Sequence, residues 1–167
     1  IGLIMDCDTT GIEPDFALVK HKTLAGGGYF RIINRSVPRA LDMLGYGDAE
    51  SDKIVRYATG HATLVDAPAI NHGSLAERGF SKSVLGNVEQ ALSNAFELRF
   101  AFNKWTLGEE FCLNVLKLTE DQINDPTFDY LPALGFSDED IAAANVYCCG
   151  AMTLEGAPHL SEEHLPV

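Results

Sequence analysis

Asp6, Cys7, Asp8, Thr9, Thr10 and Glu13 crowd one short stretch, a density of oxygen donors that could hold Mg²⁺ or Ca²⁺. The spacing is not that of an EF-hand, because no Asp-x-Asp-x-Asp-Gly series is present. Asp and Thr side chains at a strand end also satisfy their own backbone through local turns, and that plainer reading is the stronger one. Gly26-Gly27-Gly28 could cradle a phosphate, but no Gly-Lys-Ser/Thr follows, so a hinge or tight crossing fits better.

Cys148 and Cys149 are adjacent within an expected helix. Adjacent helical residues face different ways and are poorly placed to form a disulfide, so a buried Cys148 beside a partly exposed Cys149 is expected. Cys112 reads as core. The histidines at 21, 61, 72, 159 and 164 make no zinc motif with a cysteine, and neither a Ser/His/Asp order nor His-Glu-x-x-His is present. These residue types yield no catalytic set and no metal site.

The chain of 167 residues is long enough for a real core, with 46% hydrophobic and 22% charged residues. No apolar run approaches a membrane span, and no signal-peptide pattern opens the sequence. Four cysteines are too few for a disulfide framework, which points to a reducing cytoplasm. The net charge of −12 is uneven: residues 106–167 carry Lys117 against twelve acids. That surface disfavours direct nucleic-acid binding.

The elements that would position these groups begin with a strand at Leu3 to Met5, running into the acidic loop. The sequence opens inside that strand, as expected for part of something larger. Phe16 to Lys20 is a short apolar segment, extended or helical, and Tyr29 to Ile33 reads as a second strand. Helical signals take over from Ser36. Asp48 begins a helix closed by Gly60, Ser81 caps an amphipathic segment, and Ser137 resembles another capped start. Thr106-Leu-Gly-Glu109 reads as a capping box.

Residues 41–75 align without a gap on residues 131–165, with eleven identities in thirty-five positions. Leu44-Gly45-Tyr46 falls on Leu134-Gly135-Phe136, and Gly60, Thr63, Leu64, Ala67 and Pro68 fall on Gly150, Thr153, Leu154, Ala157 and Pro158. The expected unit is a Gly-aromatic turn, a helix closed by Gly, and a Thr-Leu-x-x-Ala-Pro return. A weaker echo of the turn stands at Arg78-Gly79-Phe80.

Residues 1–20, with Asp-Thr-Thr-Gly-Ile-Glu-Pro-Asp-Phe-Ala-Leu-Val at 8–19, resemble the segment after the Pro-Thr-Gly-Thr phosphate loop of class II ribonucleotide reductases, the adenosylcobalamin (vitamin B12)-dependent enzymes. The resemblance continues through Leu24-Ala-Gly-Gly-Gly-Tyr-Phe30, Asn103-Lys-Trp-Thr-Leu-Gly108 and Met152-Thr-Leu-Glu-Gly-Ala-Pro-His-Leu160. It implies a parent enzyme with a ten-stranded α/β barrel, converting ribonucleotides to deoxyribonucleotides for DNA synthesis. There a cysteine thiyl radical, generated by the cobalamin cofactor, abstracts a ribose hydrogen. A cysteine pair restored by a thioredoxin-like reductant then reduces the sugar.

The family's Asn-Pro-Cys loop does not occur here, so Cys7, Cys112, Cys148 and Cys149 inherit no catalytic role. Ile1 and Gly2 correspond to the tail of the substrate-phosphate loop, where backbone N–H groups contact a nucleotide. Asp6, Asp8 and Glu13 become scaffolding at a barrel mouth. The expected architecture is mainly α: residues 1–35 as barrel strand and exit segment, and residues 36–167 as a helical insertion holding the two repeat units. The expected partners are the rest of the reductase chain, a ribonucleotide (a diphosphate) and the reductant, with no membrane. The competing reading is a free-standing acidic helical interaction module without catalysis.

Overall fold

The computed structural model describes residues 17–23 and 29–166, with side chains described outside 21–30. The strand expected at Leu3 to Met5, the acidic loop, Ile1, Gly2 and the glycines at 26–28 all lie outside the described residues. Two strands, β1 (Val19–Thr23) and β2 (Tyr29–Ile33), pair antiparallel, with Val19 opposite Ile33 and Thr23 opposite Tyr29. Of the apolar segment expected to be extended or helical, Val19 and Lys20 lie in β1, and the Asn34 N–H extends the ladder to the Leu18 carbonyl at 2.7 Å.

The described residues are otherwise mainly helical, with nine α-helices: α1 (Ser36–Met43), α2 (Asp48–Thr59), α3 (His72–Glu77), α4 (Lys82–Leu92), α5 (Lys104–Leu107), α6 (Glu109–Asn114), α7 (Glu120–Asn124), α8 (Tyr130–Ala133) and α9 (Asp138–Cys149). Local chemistry sets many of the boundaries. Ser81 Oγ accepts from the Val84 N–H, and Ser137 Oγ accepts from the Asp140 N–H while the Asp140 carboxylate accepts from the Ser137 N–H. The Thr106 capping box does not form. Asn103 takes the cap instead, accepting from the N–H groups of Trp105 and Thr106, so Thr106 lies inside α5 and Gly108 (φ +90°) separates it from α6.

The chain divides into two compact units. The split unit joins described residues up to Gly60 to those from Gly150 onward; the continuous unit is His61–Cys149. The split unit has a small core of Val37, Leu41, Ile54 and Ala157, with Tyr46, Tyr57 and Leu160 against it. The continuous unit has a larger one, including Leu64, Ile70, Leu75, Val88, Leu98, Leu131 and Ala144.

Positions ninety residues apart share unusual backbone conformations. Positive φ recurs at Gly45 and Gly135, Gly60 and Gly150, Ala62 and Met152, Asp66 and Gly156, and Ala69 and His159. Before α2, the Tyr46 N–H reaches back to Leu41 O and the Gly45 N–H to Asp42 O; before α9, Phe136 reaches Leu131 O and Gly135 reaches Pro132 O. Both are helix ends in which glycine's left-handed conformation lets two terminal carbonyls be satisfied. Phe80 and Gly79 make the same pair of bonds, to Leu75 O and Ala76 O.

The hydrogen bonds after α2 and α9 are exchanged. In the split unit the end of α2 receives the later return: Ala151 N–H donates to Tyr57 O and Met152 N–H to Ala58 O. In the continuous unit the end of α9 receives the earlier return: His61 N–H donates to Tyr147 O and Ala62 N–H to Cys148 O. Tyr57 Oη donates to Glu155 O, and Tyr147 Oη to Val65 O.

Candidate functional site

The thiols among the described residues are packing groups. Cys112, Cys148 and Cys149 are all buried, so the partly exposed Cys149 expected from the sequence is corrected. Adjacent residues do face different ways on α9, but both faces are covered: Cys148 Sγ lies 3.2 Å from Thr63 O and Cys149 Sγ 4.0 Å from Ala95 O. Burial pushes the Cys112 thiol up, and the Glu109 carboxylate adds to the shift, opposing the thiolate that nucleophilic or redox work needs.

The histidines described with side chains have ring, amine, hydroxyl or carboxylate neighbours. The His61 ring stacks on Tyr147 at 4.1 Å. Lys53 Nζ donates to His159 Nε2 at 3.4 Å. The Tyr46 hydroxyl accepts from the Ser161 N–H and lies 2.7 Å from His164 Nδ1. Among the described residues no three His, Cys, Asp or Glu side chains could hold a metal together.

A polar node that the sequence does not announce is built on Glu89 of α4. Its Oε1 accepts from Leu64 N–H at 2.9 Å, from Thr63 Oγ at 3.2 Å and from His72 Nε2 at 2.7 Å. One carboxylate thereby ties the first return to α4. The partners are 17 to 26 positions away, so no local motif marks them. Arg78 does similar work: its guanidinium donates to Leu134 O and Ser74 O and lies over the Phe136 ring at 4.0 Å.

In the split unit a cavity of about 230 Å³ is lined by Leu41, Leu44, Leu160, Thr153, Glu155 and His164, among others. It is mostly apolar with a few polar edges, and can hold a small apolar group.

No protein-family model matches the chain. Relatives do. The chain is 58% identical over all 167 residues to a protein of Bradyrhizobium diazoefficiens, and 56% identical over the same length to one of Agrobacterium fabrum. It is 51% identical over 70 residues, 42% of its length, to one of Streptantibioticus cattleyicolor, covering 12% of that protein. The chain spans only 13% of the first two relatives, so it corresponds to one internal segment of much larger proteins, oxidoreductases by name. All three relatives are named vitamin B12-dependent ribonucleotide reductase, and it is to that family that the sequence belongs.

The cofactor in that name does not fit the described residues. The cavity beside His164 is too small for a corrin ring with its nucleotide arm, and the Tyr46 hydroxyl occupies His164 Nδ1. No helix among the described residues is long and apolar enough to cross a membrane.

Proposed function

We propose that the chain is a structural segment of a B12-dependent reductase that converts ribonucleotides to deoxyribonucleotides by radical chemistry. The observation that carries this reading is identity of 56–58% along all 167 residues to proteins bearing that name. The parent would bind adenosylcobalamin mostly outside this segment, take a ribonucleoside diphosphate, be restored by a thioredoxin-like reductant and work in the cytoplasm. Residues 1–35 would contribute a strand and exit segment to a ten-stranded α/β barrel, with the Ile1 and Gly2 backbone at the tail of the substrate-phosphate loop. Residues 36–167 would form the helical insertion. The burial of Cys112, Cys148 and Cys149 supports a structural role.

Within the insertion, residues 41–75 and 131–165 would be two copies of one unit. The paired positive φ values and the exchanged hydrogen bonds support that reading.

The test is turnover. The full-length polypeptide carrying this segment, supplied with adenosylcobalamin and a dithiol, should form deoxyribonucleotide from a ribonucleoside diphosphate, and the 167-residue chain alone should form none. A full-length protein that forms none under any cobalamin condition, or activity in the isolated chain, overturns the proposal.

A further inference from the structure

Residues 98–107 of the continuous unit combine firm anchoring with outward aromatic display. Leu98, Ala101, Phe102 and Leu107 are buried, and Phe102 meets Phe80 edge-on at 6.2 Å. Between these anchors Phe100 is 63% exposed and Trp105 is 83% exposed. Asn103 fixes the backbone beneath both: its side-chain N–H donates to Phe100 O, and its Oδ1 accepts from the Trp105 and Thr106 N–H groups. Large aromatics held this way lose little freedom when covered, and they are the side chains that dominate interface energies.

The surroundings are acidic and use up the local cations. Arg99 pairs with Asp129 at 2.7 Å and lies 3.9 Å from Asp138, and Lys104 is held by Asn124 at 2.6 Å while lying 5.2 Å over the Trp105 ring. Asp138 is followed by Glu139 and Asp140, and α7 opens with Glu120 and Asp121. An aromatic pair in such a frame is complementary to an apolar recess bordered by Lys or Arg. The matching proteins are far longer than this chain, which spans 13% of their length, so most of the polypeptide able to supply that recess lies outside these residues.

We propose that Phe100 and Trp105 dock the segment onto a basic-bordered apolar recess of the parent polypeptide beyond these 167 residues. The proposal rests on the reading of the chain as a segment of a longer reductase.

The experiment places a photoreactive benzoyl-phenylalanine at position 100 of the full-length protein, with Trp105 intact, and maps the crosslink after irradiation. The expected product keeps the mass of one chain and joins position 100 to a peptide outside residues 1–167. A product of doubled mass, a crosslink back into residues 1–167, or no crosslink overturns the docking. In a second arm, Trp105→Ala should speed hydrogen exchange of the crosslinked peptide about tenfold while leaving α9 unchanged. Equal rates there overturn it as well. Assaying the same preparation separates the two readings: turnover without a crosslink sinks the docking alone, and a crosslink without turnover sinks the reductase alone.

Discussion

Helices α2 and α9 share a length of twelve residues and a left-handed glycine at the end, yet they bury different amounts of themselves. Both turn the same register inward: Ile54 and Ala58 on α2 correspond to Ala144 and Cys148 on α9, and all four are fully buried. Only α9 also buries Ile141 and Cys149, where α2 has the half-buried Ser51 and Thr59. The added burial follows from what packs on each helix. On α9 the Asn145 side chain accepts from the Leu98 N–H, so the segment from Ala95 to Leu98 lies over a second face. At the matching place on α2, Thr59 Oγ turns back to its own helix at Val55 O. The backbone plan is therefore independent of how much core surrounds it: caps, turns and returns set the plan, and neighbouring segments set the burial.

The sharpest way to break this comparison is at the glycines. A Cβ on Gly150 would stand about 2.4 Å from Ala58 O and 2.6 Å from the Thr59 carbonyl carbon, both backbone atoms, whereas one on Gly45 meets nothing within 4 Å. Gly150→Ala should cost about 3 kcal/mol or more, and Gly45→Ala about 1 kcal/mol for its φ alone. Hydrogen exchange along α2 in the full-length protein reads the difference, and equal effects would mean that the close approach at Gly150 is absent.

Leu131 and Leu41 are the next pair. Both are buried, but Leu41 borders the 230 Å³ cavity and has fewer partner atoms to lose. Leu131→Ala should cost about 4 kcal/mol and Leu41→Ala about 2 kcal/mol, measured by urea denaturation. A reversed order would show that the larger core collapses around its deletion.

Tyr57→Phe and Tyr147→Phe each remove a hydroxyl that holds a return, and each should cost about 1 kcal/mol. Tyr147 adds a pH signature. Desolvation, then Asp66 and Cys148, push its phenol above the ordinary value of 10.0. Its contribution is full below about pH 10 and fades as the pH rises through the raised value in the fold. Alkaline titration followed by tyrosinate absorbance should lose a delayed component in Tyr147→Phe and keep that of Tyr130, whose phenol burial also raises; an unchanged curve refutes the shift.

The smallest effects are at the caps. Ser137→Ala should loosen the start of α9 by about 0.5 kcal/mol, while Gly47→Ser should tighten α2 by about 0.3 kcal/mol by supplying the missing oxygen. Amide exchange in the first turns distinguishes the two signs.

Much of the helical layout was legible because capping and termination are local. Ser81, Ser137, Asp48 and Gly60 mark the boundaries where the backbone needs them. Thr106 misled because Asn103, three residues earlier, competes for the same role and wins as an acceptor for two N–H groups. Cys149 misled because helical geometry says which way a side chain points, not what waits there. The Glu89 node was invisible for the same reason: its partners meet only through the fold. As for the enzyme, isolated residue types pointed to no chemistry, and its family was legible only in the wording of several separated stretches.

The meeting of Gly60 and Gly150 bears on how such a segment can change over generations. The whole of His61–Cys149 leaves and re-enters the split unit at one spot, where the Gly150 backbone lies against residues 58–60. A recombination that fused Gly60 to Ala151 would delete that unit in a single cut. The Ala151 N–H and Tyr57 carbonyl, already bonded at 2.8 Å, would then stand four residues apart along one chain, the spacing of an ordinary helical turn. The stretches that flank the continuous unit in sequence are thus already held to each other by the split unit's own hydrogen bonds.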